Sequence, residues 1–138
     1  MKKDVIVIGA GAAGLFCALT AGQRRRSALV LEHAEKVGKK ILISGGGRCN
    51  FTNLHTAPDN FLSGNPNFHK SALARFTPLD FLELVKKHRI AFPEKKLGQL
   101  FCNASSQQIV NLLLDECRQA NVEIRVNCRV QAVEKLGN

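Results

Sequence analysis

Two stretches hold residue types whose spacing can do chemistry. Residues 41–53 read ILISGGGRCNFTN, with Gly45, Gly46 and Gly47 running straight into Arg48, Cys49 and Asn50. Glycine runs cost backbone entropy, so they occur where something must come close to the main chain. Taken alone, this run suits a phosphate cradle, a redox cysteine held against a cofactor, or a flexible turn. The second stretch, Gly9-Ala10-Gly11-Ala12-Ala13-Gly14, reads GxGxxG and is followed further on by an acid, Glu32.

The second stretch sits between elements that give it a meaning. Val5-Ile6-Val7-Ile8 is a short β-branched run, apolar throughout, as a parallel strand covered on both faces should be. Leu15 to about Gly22 is rich in Ala and Leu and suits a helix. Ala28-Leu29-Val30-Leu31 reads as a second strand ending in Glu32. Strand, glycines, helix, strand and acid in this order form a dinucleotide-binding βαβ unit over residues 4–32.

Each part has a physical task. Gly9 permits the tight turn off the strand. Gly11 leaves room for a pyrophosphate against the main chain, and Gly14 lets helix and strand pack closely. Free N–H groups and the partial positive charge at the helix N-terminus favour the phosphates. Glu32 can accept hydrogen bonds from a ribose diol and would repel the extra phosphate of NADP. These residues suit FAD and NAD alike.

The combination GAGAAGL, then Glu32, then GKKILISGGGRCNFTN resembles a family of bacterial FAD-dependent flavoproteins of the glutathione-reductase-like class. NAD(P)/FAD-dependent and aminoacetone-oxidase-like oxidoreductases belong to it. The resemblance continues through KSALARF (70–76), LGQLFC (97–102) and QQIVNLLLDEC (107–117). It implies FAD as cofactor, with Gly9, Gly11, Ala12, Ala13 and Gly14 at the pyrophosphate and Glu32 at the adenosine ribose. It further implies Lys39 and Lys40 near the phosphates or ribose. Gly45, Gly46, Arg48 and Asn50 would line the path to the flavin, and Val130 would hold adenine through its main chain. Disulfide reductases of this class pair the loop cysteine with a second one at the place that Leu54 takes here. Cys49 is therefore expected to be a structural thiol, and no catalytic residue is assigned.

The expected fold is α/β: a Rossmann-like, doubly wound parallel sheet with a helical and hairpin excursion. The βαβ unit is followed by an FAD loop (37–53), the excursion (51–104), and a helix with strands (105–138). Thr77-Pro78-Leu79-Asp80 carries the signals of a helix start, with the helix running to about His88. Ile90–Phe92 and Gln99–Cys102 are expected to pair as a short hairpin. Ser105 and Gln108 form a capping pattern before a helix with Ile109, Leu112, Leu113 and Cys117 on one face. Val122–Val126 reads as a strand, and Arg129–Lys135 begins another.

Bulk composition narrows the function further. The chain has 138 residues and a formal charge of +9, from 20 Lys+Arg against 11 Asp+Glu, which favours an anionic partner. The cations are spread along the chain, aromatics are not clustered and no nucleic-acid motif is present, so a basic nucleic-acid-binding module is the weaker alternative. Five cysteines without a CxxC pair and four scattered histidines indicate neither a zinc site nor a disulfide framework, hence no metal and reduced thiols in the cytoplasm. The apolar run after Lys2 and Lys3 is interrupted by the glycines and reads as core rather than as an export signal or membrane span.

A split dinucleotide-binding fold calls for further parallel strands, one of them on the far side of the first strand. No second GxGxxG and no substrate domain appear in 138 residues. The polypeptide alone is therefore expected to bind FAD weakly or not at all, to self-associate through the open edge of Val5–Ile8, and to show no turnover. A remnant that keeps the fold without activity is the second alternative.

Overall fold

The computed structural model describes residues 2–135 and 137. The chain forms two compact units, Met1–Leu42 with Val110–Asn138, and Ile43–Ile109.

The first unit is built on three parallel strands, β1 (Val5–Ile8), β2 (Ala28–Leu31) and β5 (Glu123–Arg125), in the order β1-β2-β5. Val5 lies opposite Ala28 and Ile8 opposite Leu31, while Leu29 faces Glu123. The central strand is apolar throughout, and Ala28, Leu29 and Val30 are buried. Helix α1 (Ala12–Gln23) buries Leu15, Ala18 and Leu19. Helix α5 (Gln107–Gln119) adds Val110, Leu112, Leu113 and Cys117, and the Cys117 thiol donates to the Leu15 carbonyl at 3.5 Å. Among the described residues β1 is the outer strand; Ile6 and Ile8, which share one face of it, are 56% and 61% exposed, so β1 is covered on one face and not on both as its apolar run suggested.

The turn between β1 and α1 depends on two glycines. Gly9 has φ +102°, a backbone that side chains rarely adopt. At Gly14 a Cβ would run into the Gly9 carbonyl and stand 3.3 Å from Val7 Cγ1. Helix and strand thus meet backbone to backbone. Gly14→Val is expected to lower stability by about 1–3 kcal/mol or more, because the turn has no room to yield. Denaturant unfolding checks this, and an unchanged midpoint would show that the contact is soft.

In the second unit, β3 (Asn50–Asn53) and β4 (Gln99–Phe101) pair antiparallel, with Asn50 opposite Phe101 and a register shift before Thr52. Leu82, Val85, Ile90, Leu100, Phe101 and Ile109 are buried in it. Phe51 lies 6.0 Å from Phe81 and 5.8 Å, edge-on, from Phe92. Helix α3 spans Lys70–Arg75 and α4 spans Pro78–Lys87. The α4 start is as the sequence predicts: Thr77 Oγ1 accepts from the Asp80 N–H, and Asp80 accepts from the Thr77 N–H at 2.7 Å.

Three expectations are corrected. Residues 37–53 are not a loop: Lys39–Ile43 is a short helix, α2, followed by a 3-10 turn over Ser44–Gly47 and then β3. Ile41 is buried on one helical face, and the Leu42 N–H bonds the Gly38 carbonyl. Ile90–Phe92 is not the partner of β4. The chain before β4 does turn back along it, but shifted: the Lys95 N–H bonds the Gln99 carbonyl, the Phe101 N–H the Pro93 carbonyl and the Asn103 N–H the Ala91 carbonyl. A single bridge joins Glu94 and Leu100, and Pro93 has no N–H to complete a ladder. The partner is β3, whose asparagines gave no strand signal. Finally, 129–135 is not a strand, for it has no neighbouring strand among the described residues.

Candidate functional site

The ends of β1 and β2 and the start of α1 surround a cavity of about 530 Å³. Gly9 through Gly14, Glu32, Lys39 and Lys40 line it, so eight of the thirteen expected site residues meet at one place. Its size is that of an ordinary small-ligand site. The first-turn N–H groups of α1 have no partner within the helix, and Gly11, its N-cap, supplies no side chain to cap them. They leave a patch of partial positive charge suited to a phosphate.

Glu32 is the most tightly built part. It is 9% exposed, and its two oxygens accept from the Ala10 N–H at 2.8 Å and the Ala34 N–H at 2.9 Å. His33 Nδ1 lies 3.0 Å from the same carboxylate. The Ala34 and Ala10 N–H groups hold the carboxyl below its usual range, with His33 adding to them. Glu32 thus ties the glycine turn to the end of β2, a second task that sequence reading missed. Sequence reading also missed Lys36, which lines the same cavity and makes three lysines around it against the one carboxylate of Glu32.

Val130 borders a neighbouring cavity of about 300 Å³, together with Ile8, Gly9, His33 and Arg129. Backbone bonds put it there: the Asn127 N–H donates to the Ala34 carbonyl at 2.9 Å and the Cys128 N–H to the Glu32 carbonyl at 2.8 Å. Val130 therefore stands beside the strand ends without belonging to a strand.

Gly45, Gly46, Arg48 and Asn50 belong to the second unit. The glycine run answers to local geometry. Gly45 and Gly46 take φ +55° and +64°, and a Cβ on Gly45 would press on the Phe101 ring at 2.8 Å. Arg48 is exposed, and no carboxylate pairs with it among the described residues. Its carbonyl accepts from the Cys102 N–H at 2.9 Å, and that of Gly47 from the Ser106 N–H at 2.7 Å, which pin the loop. A further cavity in this unit is lined by Asn53, His55, Thr56, Asn60 and Leu97, but Asn53 and Thr56 spend their side chains on nearby backbone.

The β3–β4 pairing brings Cys102 beside Cys49, although the two are far apart in sequence. Both are buried and free. Burial pushes both thiols up, Cys102 to about 11 with Cys49 adding to the effect, and burial likewise brings Cys117 to about 11. A raised thiol pKa disfavours the thiolate, which is the nucleophilic form. In the folded protein, thiol titration is expected to reach Cys17 and Cys128 readily and the other three only after unfolding. An intramolecular disulfide at Cys49 would contradict that.

Among the described residues, no helix is long and apolar enough to cross a membrane, and no group of three or more metal-ligating side chains comes together. The chain is 58% identical to the ribosomal RNA dihydrouridine synthase of Escherichia coli K12 over 97% of its own length and 34% of that protein's. It is 30% identical to the 3-dehydro-bile acid delta(4,6)-reductase of Clostridium scindens over 93% of its length and 32% of that enzyme's. The chain spans about a third of the length of the curated relatives it matches. In fold it is similar to a 3-ketosteroid dehydrogenase of Rhodococcus jostii RHA1, with a TM-score of 0.66 at 14% identity, covering 94% of this chain and 38% of that one. The glycine oxidase of Bacillus cereus gives a TM-score of 0.55 at 13% identity over 91% of this chain and 48% of that one. The Rossmann-like α/β fold and the FAD-dependent flavoprotein family read from the sequence both agree with these findings. A model of the HI0933-like protein Rossmann domain matches residues 3–138, and the chain belongs to that family.

Proposed function

We propose that the chain is the FAD-binding part of a flavoprotein that reduces uridine in ribosomal RNA. The observation that carries this reading is the 58% identity to the Escherichia coli ribosomal RNA dihydrouridine synthase over 97% of this chain, and the glycine cradle and Glu32 that line one cavity suit the cofactor. The pyrophosphate lies on the N–H groups of Gly11 through Gly14, with Lys36, Lys39 and Lys40 offsetting its charge. Glu32 accepts from the adenosine ribose, and the main chain at Val130 takes the adenine. Gly45, Gly46, Arg48 and Asn50 serve the flavin end. When bound, FAD supplies the hydride chemistry, and the chain's own residues bind and orient it.

RNA as a substrate departs from the expectation drawn from composition, and the relative's activity is what supports it. Disrupting the gene for the chain in its own organism is expected to remove dihydrouridine from ribosomal RNA, measured by mass spectrometry of the hydrolysed nucleosides. An unchanged dihydrouridine content would overturn the reading.

A further inference from the structure

The excursion between β3 and α4 carries features that neither the cavity nor the core uses. Residues 60–79 include three phenylalanines, two cations and no Asp or Glu. Phe68 is 80% exposed, and Leu62 almost fully so. Phe61 and His69 stack with ring centres 5.0 Å apart and planes 25° from parallel; Phe61 is 42% exposed, whereas His69 Nε2 is buried without a hydrogen-bond partner. Lys70 and Arg75 lie on α3, and no carboxylate pairs with either among the described residues. The following acid, Asp80, is spent on Thr77.

We propose that this excursion is a docking surface for single-stranded RNA, with Phe68 and the Phe61–His69 pair as base-stacking platforms and Lys70 and Arg75 as phosphate contacts. The proposal rests on the RNA reading given above. Exposed aromatic faces beside cations are what an unpaired strand needs: rings for its bases and positive charge for its backbone. The segment is stiffened in advance by its own turns. The Asn67 N–H bonds Asn65 Oδ1 at 3.0 Å, and the Asn65 N–H bonds Ser63 Oγ at 3.2 Å. A backbone held in this way loses less freedom when a base stacks on the rings it carries. An apolar protein partner would fit worse, because it would desolvate Lys70 and Arg75 without returning a counter-charge. A phosphate backbone meets both requirements.

The test is fluorescence anisotropy with a labelled single-stranded oligonucleotide of ribosomal RNA sequence, over a range of salt concentrations. Phe68→Ala is expected to weaken binding about tenfold, the loss of one stacked base, while FAD retention stays as in the parent. Lys70→Gln with Arg75→Gln should flatten the slope of log affinity against log salt by about 1.4, for two phosphate contacts on a single strand. If the parent does not bind the oligonucleotide, or if all variants bind like the parent, the proposal is overturned. Loss of ribosomal dihydrouridine on gene disruption would still stand in that case. A change of oligomeric state in Phe68→Ala with RNA binding intact would also overturn it, as a contact between copies.

Discussion

Gly11→Val is expected to abolish FAD binding and leave a folded chain. Gly11 has φ −80° and ψ −175°, an extended backbone that any residue adopts, and a Cβ there would meet no atom within 4 Å. The polypeptide itself therefore has no objection to a side chain at this position. What valine would fill is the space before the first N–H groups of α1, where the proposed pyrophosphate would come to rest. Gly14 makes the contrast, since a Cβ there collides with the protein's own backbone. The pair separates ligand from fold: valine at 11 should lose FAD with an unchanged melting temperature, and valine at 14 should lower the melting temperature. FAD affinity and thermal unfolding measured on both variants check this. Parent-like FAD affinity in Gly11→Val would remove the phosphates from the cradle.

Glu32→Ala is expected to weaken FAD binding and also to loosen the glycine turn. Removing the carboxylate leaves the Ala10 and Ala34 N–H groups without their acceptor, bonds worth about 1.5–3 kcal/mol each when the acceptor is charged. The proposed ribose contact would lose its acceptor in the same step, so affinity and stability should fall together. The pH dependence has a definite sign. The carboxyl titrates lower in the folded chain than its ordinary 4.5, so its contribution is complete above that value and is lost as pH falls through the lowered native one. Between about pH 5 and 8, Glu32 should make stability flat with pH. Glu32→Ala should remove part of the acid sensitivity of the parent, and acid unfolding curves of the two proteins test it.

The first unit was readable because each of its signals is local. A β-branched run, glycines at fixed spacing and a following acid determine strand, turn and register within a short length of chain. The same holds for Thr77-Pro78-Leu79-Asp80, where the cap lies within one helical turn. What escaped was the pairing of distant pieces. β3 is a strand only because β4 lies against it, and Asn50-Phe51-Thr52-Asn53 has no intrinsic preference that would announce it. Cys102 beside Cys49 depends on the same long-range pairing. The structural task of Glu32 was hidden for another reason: an acid after the second strand signals a ribose, whereas bonds to Ala10 and Ala34 leave no mark in spacing. Lys36 lies between two motifs and matched neither. Arg129–Lys135 has the pattern of a strand, but a strand also needs a neighbour to pair with.

The N-terminal glycine cradle with Glu32 is the proposed FAD site. At 15.1 kDa the chain suits amide NMR, which detects weak as well as tight binding and reports it residue by residue. FAD titrated into the labelled protein is predicted to shift the amides of Gly9 through Gly14 and of Glu32 through Ala34 in a saturable way, and the Gly11→Val variant should show no such shifts. No saturable change at these amides, or saturable shifts confined to other parts of the chain, would contradict the account.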